Sequence, residues 1–153
     1  MHDHDHTLSH PTKMAVSATL HCLTGCAIGE ILGMVIGSAW GLSNLVTVVI
    51  SIALAFVFGY SLSLFSVLRS GVPLKNALRL VLIADTLSIM TMEIVDNAVI
   101  LVIPGAMDAH FTDWFFWMTM VISLVVAFIV TVPVNRWLIM NGMGHAKLHG
   151  HHH

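Results

Sequence analysis

Four acidic residues, Glu30, Asp85, Glu93 and Asp96, lie deep inside long apolar stretches of the sequence, with no basic residue at a comparable depth. If these stretches cross a membrane, each carboxylate there must be protonated, reach water or bind a cation, because an isolated buried charge is costly. The pattern therefore predicts a membrane protein that holds or passes a positively charged species.

Soft donor atoms accompany the acids in the first apolar stretch. Cys22, Cys26, Glu30 and Met34 are spaced four residues apart, and His21 adjoins them. Residues four apart lie on one face of a helix, so the two cysteines can share one ion, which His21 or Glu30 would complete. Thiolate and thioether ligands favour Cu(I) or Zn²⁺. The alternative interpretation is that the cysteines are small buried residues.

The third apolar stretch supplies the partners of this row. At about 100° per residue, Asp85, Met92 and Asp96 form a narrow stripe, with Glu93 at its edge and Asn97 further round. If the first and third stretches run in the same direction, the rise per residue predicts which groups lie at the same depth. These predicted layers are His21 and Cys22 with Asp85, Cys26 and Glu30 with Met92 and Glu93, and Met34 with Asp96 and Asn97.

The elements that must position these residues are membrane-spanning helices. The 153 residues are 57% hydrophobic and only 9% charged, where a soluble domain has about a quarter charged. The apolar residues form four runs, at about 15–40, 43–68, 76–103 and 112–138, and each exceeds the ~20 residues that span a bilayer. We expect an all-α bundle of four transmembrane helices (15–140) between two His-rich tails (1–14 and 141–153).

The basic residues predict the orientation of this bundle. In a four-span arrangement, all six fall on one side: Lys13, Arg69, Lys75, Arg79, Arg136 and Lys147. The positive-inside rule then places both termini in the cytoplasm, in the inner membrane of the cell. Gly25, Gly29, Gly33 and Gly37 repeat every four residues, a spacing that lets another helix approach closely, within the chain or in a homo-oligomer.

Histidines are concentrated at the two ends of the chain. Such tracts are typical of metal capture, but they also fit a pH-sensitive surface, and the last three also fit an expression remnant. The residues in question are His2, His4, His6, His10, His145, His149, His151, His152 and His153.

The segment Leu20-His21-Cys22-Leu23-Thr24-Gly25-Cys26-Ala27-Ile28-Gly29-Glu30, together with Pro133 to Trp137 and Gly144-His145, resembles a bacterial and archaeal family. Its members are small four-span membrane proteins catalogued as a domain of unknown function, and the resemblance covers almost the whole chain. Some members are described alongside copper-oxidase-like domains. The resemblance implies a membrane fold and favours copper, without implying an activity.

Three classes of function fit these observations. The first is a transporter or metal-binding membrane protein for a soft ion, copper before zinc. The second is a proton or cation channel that uses the intramembrane carboxylates. The third, a thiol redox protein, is disfavoured because cysteines four apart on an intact helix seldom reach disulfide geometry. No nucleotide-binding or hydrolase motif is present, so we expect neither an enzyme nor a nucleotide or organic cofactor, and no nucleic-acid partner. One acidic stripe in four spans hardly encloses a pathway, which favours a homo-oligomer in the lipid bilayer.

Overall fold

The protein is described here by a computed structural model that covers residues 4–141, with side chains from residue 11 onward. Its four long helices are α1 (His4–Ala39), α2 (Asn44–Arg69), α3 (Leu74–Val102) and α4 (Trp114–Met140), and a short 3-10 helix spans Ala106–Asp108. The all-α prediction is confirmed. The last three helices begin and end within about two residues of the predicted apolar runs, whereas α1 begins well before the predicted span.

Tight turns join the first three helices. Gly41 (φ 62°) and Gly71 (φ 89°) occupy left-handed backbone conformations, which glycine adopts without steric cost. Ser43 caps α2, since its side chain accepts a hydrogen bond from the Val46 amide. These short connections make neighbouring helices antiparallel, so α1 and α3 run in the same direction.

The helices pack in a ring in which each contacts its neighbours in the order α1, α2, α3, α4 and back to α1. The most extensive contact joins α1 to α2, and the contact between α1 and α3 is smaller than any contact between neighbours in the ring. These two helices therefore face each other across the middle of the bundle. This arrangement directs the acids of both helices toward a common interior.

The glycine row of α1 lies against α2 along the whole length of the contact. A Cβ atom at Gly25 would stand 2.7 Å from the Gly59 Cα atom, and one at Gly29 would stand 2.5 Å from the Ala55 Cα atom. Further along, Gly33 meets Ser51 and Gly37 meets Thr47. Because the closest contacts are with backbone, any side chain at Gly25 or Gly29 would push the two helices apart.

The distribution of polarity is the reverse of that in a water-soluble bundle. Buried residues include Glu30, Asp85, Glu93 and Asp96, while large apolar side chains such as Leu101, 70% exposed, cover the outside. Three segments are long and apolar enough to cross a membrane: Pro11–Ala39, Asn44–Arg69 and Trp114–Met140. Helix α3 is as long as these three but carries more charge. The chain therefore has the character of a membrane protein, with lipid as the environment that suits its surface.

Candidate functional site: two cavities separated by a sulfur-containing cluster

A cavity of about 660 Å³ lies at the end of the bundle where α1 meets α2 and α3 meets α4. We call it the acidic cavity, because Glu30, Glu93 and Asp96 line it. Met34, Asn97 and the segment 106–111 also line it. No Lys or Arg is among the described residues that line it, and His110 is its one imidazole.

The three acids of this cavity meet across the bundle. The carboxyl group of Glu30 on α1 lies near enough to Asp96 on α3 to interact directly, and Glu93 lies close to both. Asn97 donates a hydrogen bond to the Glu93 backbone carbonyl (2.8 Å) and a longer one to Glu93 Oε2 (3.5 Å). Depth counting along α1 and α3 predicted that Glu30 lies near Glu93, but it placed Asp96 one layer further along with Met34, whereas the Asp96 carboxyl group reaches Glu30.

Two of the acidic oxygens lack a hydrogen-bond partner. Glu93 Oε1 and Asp96 Oδ1 have no hydrogen-bond partner. Both side chains are buried, with exposures of 5% and 1%, respectively. A buried polar atom without a partner carries a desolvation cost of about 1–3 kcal/mol, and more when it is charged. A bound proton, water or cation would remove that cost, which makes this cavity a candidate cation site.

A second cavity, of about 350 Å³, lies at the opposite end of the bundle. We call it the serine-rich cavity, because Ser17, Ser63, Ser66 and Ser70 line it, beside Asp85. His21 and Asn135 complete its polar surface. The Asp85 carboxyl group interacts with the Ser63 hydroxyl and with the His21 ring. Here a single acid lies among hydroxyl groups and one imidazole, whereas three acids meet in the acidic cavity.

Between the cavities lies a buried group that we call the central cluster: Cys22, Cys26, Ala55, Ile89, Met92 and Ala127. On each helix these residues lie between those that line one cavity and those that line the other. None of the six is more than 2% exposed. The two cavities share no lining residue, and the central cluster lies between them.

The predicted metal ligands are divided among these three places. Cys22, Cys26 and Met92 belong to the central cluster, and both thiols are free. Glu93 lies beside Cys26. Among residues 11–141, no three His, Cys, Asp or Glu side chains come close enough together to hold one metal ion. Two cysteines and one methionine thus bring three sulfur-containing side chains into one buried cluster.

His21 does not join the cysteines. Its side chain is exposed, and Nδ1 is hydrogen-bonded to the Ser17 backbone carbonyl at 2.8 Å. One residue corresponds to about 100° of rotation around a helix, so His21 points into the serine-rich cavity while Cys22 points to the centre. Of the predicted capture histidines, His2, His4, His6 and His10 and all those from His145 onward lie outside the side chains that the structure describes.

Helix α4 contributes a polar stripe that the sequence analysis did not identify. Thr119, Ser123, Thr131 and Asn135 are all buried and follow one another at multiples of four residues, with Ala127 at the missing position. Thr119 lines the acidic cavity and Asn135 lines the serine-rich cavity. Ser123 lies beside Asp96. The four-residue spacing of these polar residues was the one signal in the sequence. It did not show whether this face of α4 points into the bundle or outward, because that depends on how the helices pack.

A family model described as "Domain of unknown function (DUF4396)" matches residues 12–144. The chain belongs to the DUF4396 family. The matched region includes all of α2, α3 and α4 and nearly all of α1, so both cavities and the central cluster lie within the DUF4396 domain. No curated protein and no solved structure matches the chain.

Proposed function

We propose that this DUF4396 protein carries a soft transition-metal cation, Cu(I) before Zn²⁺, across the inner membrane of the cell. In this proposal α3 is the fourth transmembrane span and both termini are cytoplasmic, as the distribution of Lys and Arg favours. The acidic cavity then opens to the outside and the serine-rich cavity to the cytoplasm. The observation that carries the proposal is the central cluster, which sets sulfur donors between two polar cavities.

The acidic cavity would attract and concentrate the cation. Glu30, Glu93 and Asp96 provide negative charge without a Lys or Arg among the described lining residues. A cavity lined by charge of one sign raises the local concentration of the opposite ion. Glu93 and Asp96 each have one oxygen without a hydrogen-bond partner, and these oxygens could bind a positive ligand.

The central cluster would transfer the ion between the cavities. A soft cation can exchange its water for Cys22, Cys26 and Met92, since thiolate and thioether are the ligands that Cu(I) prefers. Metal binding to a thiol forms a metal–sulfur bond and releases the thiol proton. The Glu93 carboxylate lies beside Cys26 and is placed to accept that proton. The serine-rich cavity, with Asp85 and His21, would then receive the ion on the cytoplasmic side, where the His-rich tails would capture it.

A second candidate is a channel for protons or other cations. The observation that favours it is the adjacency of Glu30, Glu93 and Asp96, continued by Ser123 on α4. In this alternative the carboxyl groups relay protons and the cysteines are only packing residues. The thiol redox alternative gains no specific support, because Cys22 and Cys26 are both free and buried.

Ion uptake into liposomes distinguishes these candidates. The chain would be reconstituted and tested with Ag⁺, a soft ion that needs no reductant. Replacing both cysteines by Ser should lower Ag⁺ uptake at least tenfold, and Met92→Leu should lower it less. Met90→Leu is the matched control, because Met90 is 46% exposed whereas Met92 is 1% exposed. Unchanged uptake after loss of both thiols, together with proton flux abolished by Glu93→Gln, would decide for the channel.

A homo-oligomer is part of the same proposal, since one acidic stripe in four spans encloses only part of a pathway. The glycine row would not form its interface, because α2 of the same chain already covers it. The mass of the protein in mild detergent tests this expectation directly. A strictly monomeric mass would exclude the homo-oligomer and leave the single bundle as the functional unit.

A further inference from the structure

We infer that the central cluster excludes protons and hydrated cations, and that Ala127 and Ile89 determine this selectivity. The inference rests on the proposed function, because it explains how a soft cation could pass between the cavities without a parallel leak of protons. The positions of the hydrogen-bonding side chains along the bundle support it.

Hydrogen-bonding side chains approach the central cluster from both ends. From the acidic cavity, the sequence of groups is Glu30, Asp96 and then Ser123 of α4. From the serine-rich cavity it is Asn135, which donates to the Thr19 hydroxyl at 2.7 Å, and then Thr131. On α3 the next group after Asp85 is Ser88, and both Thr131 Oγ1 and Ser88 Oγ are buried without a hydrogen-bond partner. These groups provide a path along which protons could move at each end of the bundle.

The path is interrupted at one level. Ala127 occupies the position midway between Ser123 and Thr131 on α4, where a fifth polar side chain would complete the stripe. On α3, Ile89 fills the same level and contacts Gly59 of α2. Both side chains are fully buried, with 0% exposure. An alanine and an isoleucine offer no hydrogen bond, and apolar constrictions of this kind exclude water.

The other side chains of the central cluster are Ala55 and three that contain sulfur. A thiol is a weak hydrogen-bond donor and a thioether is a weak acceptor, so Cys22, Cys26 and Met92 make a poor route for protons. The same atoms are good ligands for a soft, dehydrated ion. The chemistry at the centre thus favours an ion that exchanges water for sulfur, and it opposes ions that must keep their water.

The test introduces a hydroxyl group at the point of interruption. Ala127→Ser adds a hydroxyl with little change of volume, and Ile89→Thr replaces an ethyl group by a hydroxyl. The matched controls make the same chemical change on the exposed surface: Ala53→Ser on α2 and Ile94→Thr on α3, where Ile94 is 65% exposed. The full chain is reconstituted into liposomes that contain a pH-sensitive dye, and the decay of an imposed pH gradient and the uptake of Ag⁺ are measured on the same vesicles.

Wild-type protein and both controls should keep the gradient, while Ala127→Ser and Ile89→Thr should dissipate it at least tenfold faster. Rapid dissipation by the wild type would overturn the inference, and so would tight vesicles with both interior variants. If the wild type takes up Ag⁺ but no interior variant leaks, the proposed function stands and the inference fails. If the variants leak but the wild type takes up no Ag⁺, the barrier stands and the metal proposal fails.

A measurement on the wild type alone decides the case in which both interior variants fail to fold. Cys22 and Cys26 should react at least a hundredfold more slowly with a charged methanethiosulfonate than with a small neutral maleimide, because the central cluster is dry. Similar rates for the two reagents would show that water reaches the thiols, and this would overturn the inference.

Discussion

The two cavities at the ends of this bundle differ in how their acidic residues are grouped. In the serine-rich cavity a single acid, Asp85, interacts with a serine hydroxyl and with the His21 ring. In the acidic cavity the carboxyl groups of Glu30, Glu93 and Asp96 lie close together, with no Lys or Arg among the described lining residues. Like charges that lie close together are costly unless a proton or a cation neutralises them. A positive ligand would therefore stabilise the acidic cavity more than the serine-rich cavity.

The variant with the largest expected effect should disrupt both cavities together. Gly29→Leu would force a side chain into the Ala55 backbone on α2, and overpacking of this sort costs about 1–3 kcal/mol. We expect a clear fall in the midpoint of thermal unfolding in detergent, with loss of cation binding at both ends. Ala53→Leu, on the exposed side of α2, is the control and should leave stability unchanged. An equally stable Gly29→Leu protein would show that α1 and α2 do not pack as described.

The next effect separates the two cavities. Removing one charge from the acidic cavity, by Glu93→Gln or Asp96→Asn, should weaken cation binding about tenfold, which is about 1.4 kcal/mol. Asp85→Asn should weaken it less than threefold, since Asp85 is a single acid that already lies beside the His21 ring. Isothermal titration of the full chain with Ag⁺ measures both affinities. Equal losses for Asp85→Asn and Glu93→Gln would contradict the difference between the cavities.

The same titration should depend on pH, because protons compete with a cation for carboxylates and thiols. We expect binding to weaken as the pH is lowered from about 7 to 5. The dependence should be shallower in Glu93→Gln, which has one fewer group to protonate, than in Asp85→Asn. A wild-type affinity that does not change with pH would mean that neither carboxylates nor thiols take part in binding.

The smallest effect concerns the wall of the serine-rich cavity. Asn135 on α4 donates a hydrogen bond to Thr19 on α1, and such bonds between membrane helices average about 0.6 kcal/mol. A double-mutant cycle of Asn135→Ala and Thr19→Val should give a coupling energy of this size. Asn141→Ala serves as the control, since Asn141 is exposed and bonds only within its own helix, to Trp137. A coupling energy of zero would show that this hydrogen bond does not stabilise the contact between α1 and α4.

The sequence predicted some parts of this molecule better than others, for physical reasons. Long apolar runs located α2, α3 and α4, since hydrophobicity and length together are a strong signal. The 1.5 Å rise per residue also placed Glu30 near Glu93 and Cys26 near Met92. The glycine spacing predicted close packing, but it did not specify α2 of the same chain as the partner. Neither the two cavities nor the boundary between them was predicted, because both depend on how four helices are rotated.

Two residues show why that rotation matters. His21 is next to Cys22 in sequence, yet it lines a cavity while Cys22 lies in the central cluster. Ala127 is an ordinary alanine in an apolar helix, and only the buried positions of Ser123 and Thr131 reveal it as an interruption. Small hydroxyl residues are common in membrane helices, so their spacing becomes informative only when the inner face of α4 is known.

The charged interior of α3 also has a consequence for how the chain is made. A charged residue at the centre of an inserting helix costs about 2.5–3.5 kcal/mol, and α3 contains Asp85, Glu93 and Asp96. This helix is synthesised after α1 and α2, which already form the most extensive contact of the bundle. We therefore expect α3 to enter the bilayer against this earlier pair rather than alone. During biogenesis, α1 and α2 would then assist the insertion of α3, and the helices would assemble in the order in which they are synthesised.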